Sequence, residues 1–145
     1  LPLTPALALL AAALPAGTAE ASPSEACKIS VVATVDHETF RQAGHDSSLV
    51  RLSLLRDLTR DRFTAAARRL CASGALRPAD LASFRKLLVR NGEGATEPIL
   101  YQEEEMGWSE FTFQYAFQDG APPRPAEFEQ ALRCWKRPLS CNSGD

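Results

Sequence analysis

Residues 109–118 read SEFTFQYAFQ. Phe111, Phe113, Tyr115 and Phe117 stand at alternate positions, with Glu110, Thr112, Gln114, Ala116 and Gln118 between them. On a helix, 100° per residue scatters four such rings around the cylinder; on a strand, all four share one face. The stretch is therefore a strand with an aromatic face. Burying one phenyl ring contributes roughly 1.5–3 kcal/mol. A one-residue slip would turn all four rings to the other side, so the row also fixes the register.

On the upstream side, Ile99–Glu103 pairs with this strand through a turn at Glu105-Met106-Gly107. Downstream, Asp119-Gly120 ends the strand. After Ala121-Pro122-Pro123-Arg124-Pro125, a helix runs from about Pro125 to Lys136 with Phe128, Ala131, Leu132 and Trp135 on its buried side. Pro138 stops it, and the tail reads as irregular.

The middle of the chain is helical. Phe63, Ala66, Ala67, Leu70 and Cys71 fall at i, i+3, i+4, i+7 and i+8, with Thr59 as cap and Gly74 as terminator. Pro78 and Asp80 open a second helix whose stripe is Leu81, Phe84, Leu87 and Leu88, stopped at Asn91-Gly92. Together these two predict an αα-hairpin. Lys28–Asp36, rich in Val, Ile and Thr, reads as a strand, and residues 37–48 as a polar connection. In 49–58, Val50, Leu52 and Leu54 alternate with Arg51 and Ser53, which favours a strand paired with the first one over a helix. The class predicted is α+β: a small single domain of antiparallel strands packed against an αα-hairpin and a C-terminal helix.

Ala6–Leu14 contains only Ala and Leu, about the length of a signal-peptide core and short of the ~20 residues a membrane span requires. Ala19 and Ala21 fit the small-x-small rule of a cleavage site. The expected division is a signal peptide at 1–21, its basic n-region missing, and a mature domain at 22–145. Four cysteines follow: Cys27, Cys71, Cys134 and Cys141. An even count behind an export signal predicts two disulfides in an oxidising compartment. Pro138 helps the chain turn back, which favours Cys134–Cys141 and leaves Cys27–Cys71. No CxxC pair and no histidine at ligand spacing from a cysteine is present, so neither a metal nor a redox cofactor is expected.

No nucleophile or phosphate-loop motif occurs. His37 and His45 share a loop with Asp36, Glu38 and Asp46 and read as turn-capping groups. Glu103–Glu105 reads as a solvated strand edge that discourages aggregation. Charge is more informative. Residues 41–90 hold 11 bases and 4 acids, while residues 91–130 hold 1 base and 9 acids, in a chain whose net charge is −2. Either the two segments answer each other within the molecule, or the basic helices meet an anionic partner. Arg62 and Arg69, seven apart and off the apolar stripe, are the candidate partner-binding residues.

The leading expectation is an exported, non-enzymatic binding module, of inhibitor or immunity type, for an envelope or secreted protein. A small-molecule or lipid carrier with a pocket lined by Phe111, Phe113, Tyr115 and Phe117 is the alternative. A small hydrolase using Glu103, Glu105 or His37 is the second alternative. A membrane surface ranks below a protein as partner. Nucleic acid ranks last, since the basic run lacks interleaved aromatics.

Overall fold

The computed structural model describes residues 26–44, 48–93, 97–105, 108–117 and 121–141. The expected signal peptide, the Asp119-Gly120 terminator, His45 and Asp46 lie outside them. The chain folds as β1 (Val32–Val35), α1 (His37–Gln42), α2 (Leu49–Ala72), α3 (Pro78–Ser83), β2 (Lys86–Asn91), β3 (Ile99–Glu105), β4 (Trp108–Tyr115), α4 (Pro125–Lys136) and α5 (Pro138–Cys141). This is the α+β class expected, closed by two disulfides, Cys27–Cys71 and Cys134–Cys141.

The sheet order is β1-β2-β4-β3. β3 and β4 form the antiparallel pair read from the sequence, with Leu100 opposite Phe113 and Gln102 opposite Phe111. The rest of the sheet corrects the expectation of antiparallel strands. β1 runs parallel to β2, and β2 parallel to β4. Three helices connect β1 to β2, which is the crossover that a parallel pair needs.

Two further corrections concern the middle of the chain. Residues 49–58 are not a strand but the first half of α2, a 24-residue helix capped by Ser48, whose Oγ accepts from the Arg51 N–H at 3.3 Å. The expected αα-hairpin ends after α3, one and a half turns long; Leu87 and Val89, expected on a helix, lie instead in β2 and face the core. Residues 37–42, read as connection, form α1, which inserts Phe40 into the core. Of the tail, Pro138–Cys141 form the short α5.

α3 and α4 start alike. Arg77-Pro78-Ala79-Asp80 and Arg124-Pro125-Ala126-Glu127 each put proline at the first helical position, where its missing N–H costs nothing. In both, the third-position acid accepts from the arginine N–H ahead of the proline, Asp80 at 2.7 Å and Glu127 at 2.9 Å. Gly74, φ +89°, ends α2 in the left-handed region as expected. Gly92 serves another purpose: a Cβ there would meet the Gln114 Cγ at 2.5 Å, so a side chain at this position would displace that of Gln114.

Helices cover one face of the sheet. In register across it, Ala33, Leu87 and Phe111 form one inward row, and Val35, Val89, Phe113 and Leu100 the next. Phe113 stacks on Phe128 of α4 at 4.7 Å. Phe84 meets Phe63, Phe111 and Trp135 at 4.7–5.2 Å between centroids. The outward row holds Thr34, Leu88, Thr112 and Tyr101, and Thr112 is fully buried within it.

Thr59 corrects another expectation. It does not cap a helix; it lies in mid-α2, fully buried, and its hydroxyl has no hydrogen-bond partner among the described residues. A buried hydroxyl without a partner is destabilising. Thr59→Val should therefore stabilise the domain by about 1 kcal/mol, seen as a higher urea midpoint with an unchanged slope. A lower midpoint would show that the hydroxyl is satisfied in solution.

Candidate functional site

The expected basic residues first. Arg62 and Arg69 do lie on one flank of α2, and that flank faces α4. Arg62 Nη1 donates to the Pro123 carbonyl at 2.7 Å, and Arg69 Nε to Glu129 at 2.7 Å. Arg133 also reaches Glu129, at 3.9 Å. The basic helix thus answers acid within the molecule, at Glu129 on α4. Sequence distance hid this, since sixty residues separate Arg69 from Glu129.

The aromatic row is brought together as expected, but its faces meet other side chains. Phe111 and Phe84 touch Trp135; Phe113 lies on Phe128; Phe117 contacts Phe40 and Tyr115. Phe111, Phe113 and Phe117 are at most 1% exposed. Tyr115 is half-buried and its hydroxyl faces Glu127 at 3.4 Å. Burial first, then that carboxylate, raise the Tyr115 phenol above its ordinary range.

The residues of the hydrolase alternative are kept apart. His37 follows β1 and Glu103 lies in β3, the two opposite edges of the sheet. Three strand spacings amount to about 14 Å. Glu103 is exposed and accepts from the Thr112 hydroxyl at 3.2 Å. Its place on an edge strand agrees with the reading of a charged, aggregation-resistant edge.

Two grooves flank the second half of α2. The smaller, about 600 Å³, lies between the 28–30 segment, α2 and α3. Lys28, Arg68 and Arg85 line it, with Ile29, Leu81 and Ala82 as apolar floor. All three cations are exposed, and none forms an ion pair among the described residues. Among the described residues, no acid lines this groove. The Cys27–Cys71 disulfide holds its two walls together, because Cys27 precedes Lys28 and Cys71 lies one turn beyond Arg68. Sequence reasoning missed the site. Its three cations come from three distant segments, and only their net positive neighbourhood was visible.

The larger groove, about 940 Å³, lies on the other flank, between the end of α2, α4 and α5. Arg69, Arg133, Lys136 and Arg137 line it, with Glu129 and the Cys134–Cys141 disulfide. Lys136 is held by Asp80 at 2.9 Å. Burial pushes the Asp80 carboxyl up, but the Lys136 ammonium and the Arg77 N–H outweigh it and hold the carboxyl below the usual aspartate range.

Comparison of the chain with protein-family models, with curated proteins and with solved structures finds no match. Among the described residues, no helix is long and apolar enough to cross a membrane. The two disulfides fit an oxidising, extracytoplasmic environment.

Proposed function

We propose that this chain is an exported, non-enzymatic binding module that holds an acidic segment of a partner protein in the Lys28–Arg68–Arg85 groove, as an inhibitor or immunity protein would. The carrying observation is three cations, without ion-pair partners among the described residues, around an apolar floor. Charge of one sign in a concave site attracts and orients an opposite charge. The floor of Ile29, Leu81 and Ala82 takes an apolar side chain beside the carboxylates. A concave groove suits a protruding protein segment better than a flat lipid surface. Among the described residues, its lining has no aromatic ring on which a base could stack.

A fluorescein-labelled peptide with a Glu-Glu-Leu cluster in a Gly/Ser context tests this. The peptide should bind at 50 mM salt and weaken steadily towards 300 mM, as screening shortens the reach of the cations. Arg68→Glu/Arg85→Glu should weaken binding about tenfold or more. Both side chains are exposed, so the melting temperature should stay nearly unchanged. Absence of binding at low salt, or binding indifferent to the double reversal, would overturn the proposal.

A further inference from the structure

Arg68 and Arg69 are consecutive, yet Arg68 lines the smaller groove and Arg69 the larger. The reason is helical geometry. Successive residues point 100° apart, and α2 is clamped on both flanks. Cys71 is bonded to Cys27 on one, while Arg62 and Arg69 reach Pro123 and Glu129 on the other. What separates the grooves is the outer crest of α2, occupied by Ala65, Arg68 and Ala72, all exposed. From residue 65 to 72 the crest carries, apart from Arg68, only methyl groups, so another backbone can lie close across it there; Asp61 stands one turn earlier.

The larger groove also has cationic surplus. Glu129 is shared by Arg69 and Arg133, Lys136 is held by Asp80, and Arg137 forms no ion pair among the described residues. Among the described residues, one lining carboxylate thus faces four lining cations. The wall at the end of α2 is Ser73, Gly74 and Ala75, all small and exposed, and among the described residues nothing beyond the adjacent chain lies within 4 Å of the place a Gly74 Cβ would take.

Resting on the function proposed above, we infer that the two grooves form one track, and that a single extended acidic segment of the partner crosses the α2 crest to fill both. The crossing sets a spacing. A helix with side chains is about 10–12 Å wide, and an extended chain advances about 3.3 Å per residue. The partner segment therefore carries two acidic clusters separated by three or four small or polar residues.

Three labelled peptides test the track. The first carries one Glu-Glu-Leu cluster; the second carries two, separated by four Gly/Ser residues; the third carries two, separated by one residue, at the same charge as the second. The second should bind about tenfold tighter than the first, because its second cluster binds intramolecularly. The third should stay within about threefold of the first, since its clusters cannot span the crest. Arg133→Glu/Arg137→Glu should reduce the second peptide to the affinity of the first and leave the first unchanged. The milder Arg133→Gln/Arg137→Gln, with its melting curve, guards against a folding defect. Equal binding of the first and second peptides, or of the second and third, would overturn the track. So would indifference of the second peptide to both Arg133/Arg137 variants. In each of those cases, loss of the first peptide's binding on Arg68→Glu/Arg85→Glu would leave the single groove standing. If that reversal is also without effect, the underlying function fails with the track.

Discussion

Phe84→Ala is expected to cost about 4 kcal/mol of folding stability, the range seen when a fully buried phenyl is deleted from a core. The ring is 1% exposed and makes three aromatic contacts, each to a different element: Phe63 on α2 at 5.2 Å, Phe111 on β4 at 4.7 Å and Trp135 on α4 at 5.0 Å. Two of them are edge-on, the geometry that places the positive ring edge against a negative face. Alanine removes all three contacts at once; Phe111 and Trp135 keep only each other, at 5.4 Å, and Phe63 loses its ring contact with Phe84. A loss of this size should lower the melting temperature by about 15 °C. Phe84→Leu retains much of the volume and should cost less than half as much. Urea titration of both variants checks this. A cost below about 1.5 kcal/mol for Phe84→Ala would mean that α2 and α4 close over the gap, and that Phe84 does not hold them apart.

How far the sequence discloses this fold depends on how cleanly each element separates its faces. β4 was legible because Phe111, Phe113 and Tyr115 share one face, and the second half of α2 because Phe63, Ala66, Ala67 and Leu70 form a single stripe. The first half of α2 was not legible, and the reason is specific. Leu52 and Leu55 face the core, but Val50, Leu54 and Leu58 point outward and are 72%, 63% and 41% exposed. Two apolar rows on opposite sides of a helix merge, in sequence, into the alternation Val50-Leu52-Leu54, which imitates a strand. β2 failed in the opposite direction. It is a central strand, so Leu87 and Val89 point into the core while Leu88 lies half-buried on the other face. The resulting continuous apolar run loses its period. Following directly on Pro78–Phe84, it read as more helix. The parallel pairing could not be read either, because it depends on the crossover through α1, α2 and α3, not on local pattern. The candidate groove was hidden for a related cause. Charge totals by segment showed where cations are abundant, yet which of them face acids is decided by α4 folding back on α2. That packing occupies Arg62 and Arg69 and leaves Lys28, Arg68 and Arg85.

The two disulfides should be unequal in stability and in their effect on binding. Cys27–Cys71 joins residues 44 apart, and Cys134–Cys141 residues 7 apart. By loop-closure entropy of the unfolded chain, the longer link contributes about 4 kcal/mol and the shorter about 2.5 kcal/mol. Cys27 and Cys71 are also the more buried pair, at 3% and 7% exposure. Alanine in their place leaves small hydrophobic side chains and no polar atom to satisfy. Cys27→Ala/Cys71→Ala should therefore show the larger fall in urea midpoint, and Cys134→Ala/Cys141→Ala the smaller. The functional consequence is separable from stability. Cys27 anchors the segment that carries Lys28 and Ile29 to α2, which carries Arg68. Without the link, the segment keeps its sequence but loses its fixed position, and ordering it on binding costs conformational entropy. At a temperature where both variants are fully folded, the Glu-Glu-Leu peptide should bind Cys27→Ala/Cys71→Ala several-fold more weakly than the wild type. It should bind Cys134→Ala/Cys141→Ala as the wild type does, since that disulfide lines the other groove. Equal affinity for both variants would mean that β1, paired to β2, positions Lys28 without help from the disulfide. The Cys27–Cys71 link would then serve folding alone.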